Sequence, residues 1–242
     1  MTSLLSSGRS IVCLTIFLVL ISSSNSFAED PFTINTADQP PYSTQDNNGL
    51  YDRIIIETFR SIGKTVKINH MPSARSLENV NNGIDDGEYA RIAGLTITNP
   101  NLRIVDEKLL DYTFTAFVRN PGLQVHDWND LTGHNVAFIN GWKIYETEVK
   151  NTASVFKVHS EKELFALLAS GRIDIALYER RRGLHYIKSQ KLEGIYPLAS
   201  PLAVKGMYLY FNSRHEAIIP AVEQALRSFK QTSNYQLLIN SF

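Results

Sequence analysis

An arginine lies inside an otherwise apolar run of the sequence. Arg91 stands in the stretch Tyr-Ala-Arg-Ile-Ala-Gly, which is typical of a buried strand. A buried guanidinium must be paired with an anion or bind one, because its desolvation is costly. Two roles therefore fit Arg91: it binds an anionic group of a ligand, or it forms a structural salt bridge. The carboxylates considered as structural partners are Asp86, Glu88 and Glu107.

Other residues are suited to holding a small polar molecule. The stretch Gly141-Trp142-Lys143 begins a predicted helix, where free backbone N–H groups and the helix dipole attract an anion. Glu179 follows a predicted strand, at the end that faces the binding crevice of a parallel sheet. Arg75 and Arg103 each carry a guanidinium that can donate two hydrogen bonds to a carboxylate or phosphate. Tyr42 is an aromatic residue that follows two prolines.

Each of these residues also has a structural interpretation. Tyr42 and Trp142 could pack in the core, and Lys143 could be a solvated residue of a first helical turn. Glu179 could pair with the arginines at 180–182 on the surface, and Arg103 could be a surface residue. The sequence alone leaves these alternatives open.

Motifs for catalysis and for metal binding were not found. The sequence has no Gly-x-Ser-x-Gly nucleophile elbow. Gly63-Lys-Thr65 lacks the first glycine of a phosphate loop, since position 58 is Thr, so a helix C-cap is the better interpretation. The six histidines lack metal-ligand spacing. These observations favour a binding protein over an enzyme, with no cofactor and no metal.

Composition gives the broad class. The chain has 242 residues, 43% hydrophobic and 20% charged, as in an ordinary globular protein. Lys+Arg and Asp+Glu number 24 each, so nothing indicates a nucleic-acid partner. Arg9, an 11-residue apolar stretch and a small-residue exit at Ala28 predict a cleavable signal peptide over residues 1–28. The exported chain would then lack Cys13, the one cysteine.

The elements that must position these residues alternate between strands and helices. Strands are predicted near 32–37, 65–69 and 112–118, and then again at 135–139 and 173–177, with helices between them. This order implies an α/β fold with mostly parallel pairing. The rhythm restarts after Asn120-Pro-Gly122, which indicates two lobes of similar size. Ser160 and Pro220 are predicted to begin helices.

Several motifs, in order, resemble extracellular solute-binding protein family 3, which includes periplasmic polar amino-acid-binding proteins. The match covers nearly all of the exported chain. The matching stretches are Ala-Asp-Gln-Pro-Pro-Tyr at 37–42, Asn-Gly-Leu at 48–50, Gly-Leu-Thr-Ile-Thr at 94–98, Asp-Leu-Thr-Gly at 130–133, Asn-Gly at 140–141 and Leu-Ala-Ser-Gly-Arg-Ile-Asp-Ile-Ala-Leu-Tyr-Glu at 168–179. The stretches Met-Pro-Ser-Ala-Arg at 71–75 and Asp-Gly-Glu-x-x-Arg at 86–91, with the loop at 99–102, look like a less characterised proteobacterial branch of that family.

The resemblance implies a two-lobed type II periplasmic-binding fold in which the chain crosses twice between lobes. Lobe 1 would comprise residues 29–119 and 206–242, and lobe 2 residues 120–205. Ligand would bind in the cleft and close it by hinge motion. The residues that match the family's ligand contacts are Thr98 and Glu179. Three features depart from the family: Asn101 stands where an arginine is expected, Trp142-Lys143 replaces small hydroxyl residues, and the lobe-1 strand carries Arg91.

The resulting hypothesis is a periplasmic protein that captures a small polar, amino-acid-like or organic-acid ligand, as a monomer, for an ABC-type transporter. Alternatives are a ligand-sensing module for a membrane receptor and an enzyme built on the same fold. The predicted ligand contacts are Tyr42, Arg75, Arg91, Thr96, Thr98, Gly141, Trp142, Lys143 and Glu179.

Overall fold

The described part of the chain is residues 30–242 of a computed structural model. It contains ten strands and seven α-helices, joined by loops and three short 3-10 helices. The predicted signal peptide lies outside the described residues. The chain is mixed α/β, as the alternating pattern indicates.

The first lobe begins with two strand–helix–strand units. They comprise β1 (Phe32–Thr36), α1 (Leu50–Ser61), β2 (Val66–His70), α2 (Ser73–Asn81) and β3 (Gly87–Arg91). β1 pairs in parallel with both β2 and β3, so β1 is the central strand of the three. Helix α1 buries Ile54, Ile55 and Phe59 in the core, at the spacing of one helical face.

The second lobe repeats this construction. Its elements are β6 (Asn135–Ile139), α3 (Lys143–Glu148), β7 (Ser154–Val158), α4 (Glu161–Ala169), β8 (Ile175–Glu179) and α5 (Arg180–Ser189). β6 pairs in parallel with β7 and β8. Ser160 caps α4, as predicted, by accepting a hydrogen bond from the Glu163 N–H at 3.2 Å.

Two long strands connect the lobes. They are β5 (Leu110–Val118) and β10 (Ala203–Asn212). Residues 110–114 of β5 pair antiparallel with 203–207 of β10, and 114–118 pair antiparallel with β8. The other end of β10 pairs with β3 and with β4 (Leu102–Ile104). A short strand, β9 (Tyr196–Pro197), pairs with β5.

The prediction of mostly parallel pairing is therefore wrong for the connecting strands. Pairing is parallel among the strands of the helical crossovers, but β5 and β10 run antiparallel to their neighbours, giving the order β2-β1-β3-β10-β5-β8-β6-β7. A chain that passes between lobes twice must return in the opposite direction, which makes this pair antiparallel. The predicted lobe boundaries, next to the end of β5 and within β10, stay a prediction.

The chain ends on the first lobe. Helices α6 (Ile219–Lys230) and α7 (Ser233–Ser241) pack against α1. Pro220 occupies the first turn of α6, as its missing N–H and fixed φ predict.

The strand predicted for the apolar run around Arg91 ends earlier than the run itself. β3 ends at Arg91, Gly94 has φ +97°, and residues 95–97 form a 3-10 helix. Ile97 is 86% exposed. The apolar composition of this stretch is typical of a buried strand, but among the described residues none between Ile92 and Thr98 pairs with a neighbouring strand.

Candidate ligand-binding site

A cleft lies between the two lobes, with β5 and β10 at its back. The cleft contains three cavities, of about 580, 190 and 630 Å³, and Trp142 borders all three. The largest apolar one, here called the apolar chamber, is lined chiefly by Ile92, Ala93, Tyr112, Phe114, Trp142, Met207 and Tyr208. The 190 Å³ cavity, here called the charged chamber, is lined chiefly by Asp38, Ser73, Glu88, Arg91, Tyr112, Trp142 and Arg182.

Trp142 is held in place by other aromatic rings. It precedes α3, and its ring stacks on Tyr145 at 5.7 Å between centroids and lies 5.1 Å from Tyr178. Phe114 of β5 meets it edge-on at 6.0 Å. The indole is half-buried. A fixed, partly open aromatic face of this kind can pack against a ligand.

Arg182 connects the lobes across the cleft. Its Nη2 donates a hydrogen bond of 2.6 Å to Asp38 Oδ1, and its guanidinium lies 5.8 Å from the Trp142 ring centroid. The Tyr112 hydroxyl donates to the second Asp38 oxygen. Burial by itself would lower the pKa of Arg182, but Asp38, together with Tyr112, Tyr178 and Glu179, outweighs burial and raises that pKa, so the guanidinium stays charged.

Sequence reasoning missed both members of this pair. Arg182 is the last of three consecutive arginines, which were considered only as possible surface partners of Glu179, and Asp38 follows β1 beside a Gln-Pro-Pro turn. Their side chains are only 13% and 6% exposed. The position of Asp38 directly after a core strand was the one available signal.

Arg91 is paired with Glu88, one of the three carboxylates considered from the sequence. The Arg91 Nε lies 3.5 Å from Glu88 Oε1, and Arg91 also donates to the Ser73 hydroxyl. The Ser76 hydroxyl donates to Glu88 Oε2 at 2.6 Å. Burial raises the pKa of Glu88, with Arg91 and Ser76 opposing that rise. The ion pair does not remove Arg91 from the cleft, because both residues line the charged chamber.

A β-bulge brings Glu88 and Arg91 together. In a regular strand, residues three positions apart project to opposite faces. Here Arg91 is opposite Tyr208 while Glu88 is opposite Tyr210, so β3 has one more residue than β10 in this interval. Ala90 accommodates the extra residue at φ +63°. A bulge of this type redirects a side chain and is common beside binding sites.

Glu179 and Tyr42 lie behind the cleft. Glu179 ends β8 and caps α5, accepting hydrogen bonds from the backbone N–H of Arg182 at 2.9 Å and of Thr113 at 3.3 Å. Burial raises its pKa, although these hydrogen bonds and one from the Tyr42 hydroxyl oppose the rise. Tyr42 is buried and its ring lies 4.8 Å from that of Tyr51. Neither residue lines the three cleft cavities; both line a separate cavity of about 230 Å³.

Of the other five predicted ligand contacts, two lie at the cleft and three lie away from it. Thr96 and Thr98 are exposed on the loop after β3, and Arg75 is exposed on α2; none of them lines the three cleft cavities. Gly141 and Lys143 line the apolar chamber beside Trp142. Lys143 is 87% exposed and pairs with Glu146 at 2.8 Å. The structure thus places only Arg91, Gly141, Trp142 and Lys143 of the predicted set around the cleft.

Arg103 and the other carboxylates considered for Arg91 lie in different ion pairs. Arg103 pairs with Glu216 on the surface at 3.0 Å. Asp86 pairs with Arg214 and His215, and Glu107 with Lys230 and Arg227. Within residues 30–242, no three His, Cys, Asp or Glu side chains are grouped so that they could hold a metal ion.

Comparison with known proteins identifies the fold. No protein-family model matches the sequence, and no curated protein matches it. Solved structures do match. The ligand-binding core of GluR0 in complex with L-glutamate has a TM-score of 0.75 at 8% identity, covering 88% of this chain and 98% of that one. The chain has the two-lobed periplasmic-binding-protein fold.

Two further structures with this fold differ in their described roles. An amino acid ABC transporter substrate-binding protein from Streptococcus pneumoniae, bound to L-arginine, has a TM-score of 0.64 at 13% identity, covering 87% of this chain and 93% of that one. A histidine kinase sensor domain with similarity to periplasmic binding proteins has a TM-score of 0.67 at 15% identity, covering 88% and 96%. At such identities the likeness concerns the fold alone.

Proposed function

We propose that the protein captures a small amino-acid-like or organic-acid molecule between its lobes. The observation that carries this proposal is the charged chamber, where Arg91 and Glu88 of one lobe face the same space as Arg182 of the other. Buried ion pairs in a cleft are costly to maintain, and a ligand that joins them gains charge-assisted hydrogen bonds. Each such bond contributes about 1.5–3 kcal/mol.

Closure of the lobes would occur by bending of β5 and β10. These strands are the two connections between lobes, and they pair with each other over residues 110–114 and 203–207. The moving units would be residues 29–119 with 206–242, and residues 120–205. Closing the cleft removes water from the charged groups, which strengthens their interaction with a bound ligand.

The protein would act in the periplasm after removal of residues 1–28, as a monomer that delivers its ligand to an ABC-type permease. Within residues 30–242, no helix combines the length and apolar character needed to cross a bilayer. The likeness to a histidine kinase sensor domain favours a second candidate role, in which the closed form is detected by a membrane receptor. Catalysis is not proposed.

The test is a thermal-shift screen of the purified protein with amino acids, organic acids and amines, after mass spectrometry of any small molecule that co-purifies. A ligand at 100 times its dissociation constant should stabilise the protein by about 2.7 kcal/mol. Small-angle X-ray scattering should show a smaller radius of gyration with that ligand. The absence of any stabilising compound, with the protein folded, would contradict the proposal. Co-purification with a permease or with a receptor would separate transport from sensing.

A further inference from the structure

The charged chamber is already balanced in charge. Its lining includes two arginines, Arg91 and Arg182, and two carboxylates, Asp38 and Glu88. Each arginine is paired with one of these carboxylates. A bound anion would leave one negative charge uncompensated in a partly desolvated space, and a bound cation one positive charge. A molecule with both charges and no net charge keeps the balance.

Two atoms of this lining have unused hydrogen-bonding capacity. Both atoms are buried: among the described residues, Arg182 Nε has no hydrogen-bond partner, and Glu88 Oε1 has none beyond its ion pair with Arg91, so a ligand reaches them only when the side chains around them move. The first is a donor that suits a carboxylate, and the second is an acceptor that suits an ammonium group. The two belong to opposite lobes, so a ligand with both groups would connect the lobes.

One of the two spaces that adjoin the charged chamber is apolar. Tyr112 and Trp142 line both chambers, which places the apolar chamber beside the charged one. Its volume of about 580 Å³ lies in the range of small-molecule sites. Phe114 and Met207 give it a buried wall. Of its two cations, Lys143 already pairs with Glu146, and Lys205 is exposed, where an ion pair contributes little.

We propose that the ligand is a zwitterionic amino acid with a large apolar side chain. Its carboxylate would bind Arg182, its ammonium group would bind Glu88, and its side chain would occupy the apolar chamber beside Trp142. This inference rests on the proposed function and specifies its substrate class. It differs from a site for an acidic or a basic amino acid, because the apolar chamber offers no buried partner charge. Charged residues, Glu161 and Lys162, line instead the 630 Å³ cavity that also borders Arg182, so tighter binding of L-glutamate or L-arginine would place the side chain there.

Isothermal titration calorimetry with a matched series of compounds tests the inference on the unaltered protein. L-phenylalanine should bind about tenfold or more tightly than L-alanine, L-glutamate or L-arginine, because burial of the ring adds apolar area. Compounds that lack one charge should bind at least about tenfold more weakly than L-phenylalanine. These compounds are 3-phenylpropanoate, without the amine, and 2-phenylethylamine, without the carboxylate.

Two variants assign the groups. Glu88→Gln should weaken L-phenylalanine binding about tenfold or more, because the ammonium contact is lost, and should strengthen 3-phenylpropanoate binding, because that anion then balances the charge that Glu88 no longer compensates. Ala93→Phe should fill the apolar chamber and weaken L-phenylalanine binding without affecting L-alanine. Arg60→Ala is the control, since Arg60 lies exposed on α1 and pairs with Glu57, outside the cleft cavities.

The outcomes separate this inference from the proposed function. Tighter binding of L-glutamate or L-arginine than of L-phenylalanine would overturn the inference and leave the proposed function standing. Equal affinity for L-phenylalanine and L-alanine would also overturn the inference, because the apolar chamber would then contribute nothing. If no compound in the screen or the series bound, both proposals would be contradicted.

Discussion

Arg182 on α5 and Asp38 after β1 form an ion pair of 2.6 Å that joins the two lobes across the cleft. Tyr112, on a connecting strand, donates a hydrogen bond to the same carboxylate. Asp38 of the first lobe therefore contacts both Arg182 of the second lobe and Tyr112 of the connecting strand β5. Under the proposed capture of a ligand between the lobes, ligand exchange would separate the lobes, and this contact would be broken and formed again in each binding cycle.

Removing one member of this pair should destabilise the protein strongly. Arg182→Gln and Asp38→Asn are each expected to lower the free energy of unfolding by about 3–5 kcal/mol, because the remaining charge is left buried. The double variant should lose less than the sum of the two. Urea denaturation of the four proteins gives the coupling energy, and additive losses would argue against a direct pair. Scattering of the ligand-free singles should show a larger radius of gyration.

Gly183→Ala should reverse the usual effect of alanine in a helix. Alanine in a helix interior is normally favoured over glycine by about 1 kcal/mol. In α5, however, a Cβ at Gly183 would stand 2.2 Å from Cζ of the Phe117 ring. We expect a net loss of about 1–3 kcal/mol by overpacking, measured by chemical denaturation. Phe117→Leu combined with Gly183→Ala should recover part of the loss; failure to recover any would mean that another contact is responsible.

The stability of the protein should depend on pH through Glu88. Burial raises the pKa of Glu88 in the folded protein above its ordinary value of 4.5. The folded state therefore binds the proton more tightly than the unfolded state, and stability falls as pH rises from about 4.5 through the raised pKa. Glu88→Gln lacks this loss, so its stability relative to the wild type should increase with pH over that window. Parallel stability curves between pH 4 and 8 would contradict the expectation.

Tyr42→Phe should affect stability and not ligand binding. The Tyr42 hydroxyl hydrogen-bonds to the buried carboxylate of Glu179, and its ring packs in the core. Loss of a buried hydrogen bond to a charged acceptor should cost about 1.5–3 kcal/mol. Tyr51→Phe is the matched control, because the buried Tyr51 hydroxyl has no hydrogen-bond partner among the described residues. A changed ligand affinity in Tyr42→Phe, with little loss of stability, would return Tyr42 to the ligand contacts.

The sequence by itself determined most of the local elements. The strands predicted near 32–37, 65–69 and 135–139 lie within one residue of β1, β2 and β6, and Ser160 and Pro220 begin helices as predicted. These features depend on groups within about four residues of one another: the capping hydrogen bond, the missing proline N–H and the spacing of one apolar face. The alternation of strands and helices was enough to indicate an α/β chain with two lobes.

The tertiary structure decided which charged groups share the cleft. Asp38 and Arg182 are 144 positions apart and meet only because β5 and β10 bring the lobes together. Glu88 and Arg91 meet only because of a bulge, whereas regular alternation would place them on opposite faces. Thr98, assigned by resemblance, lies exposed on a loop because β3 ends seven residues earlier. Local pattern cannot fix strand register or lobe contact, since both depend on partners distant in the chain.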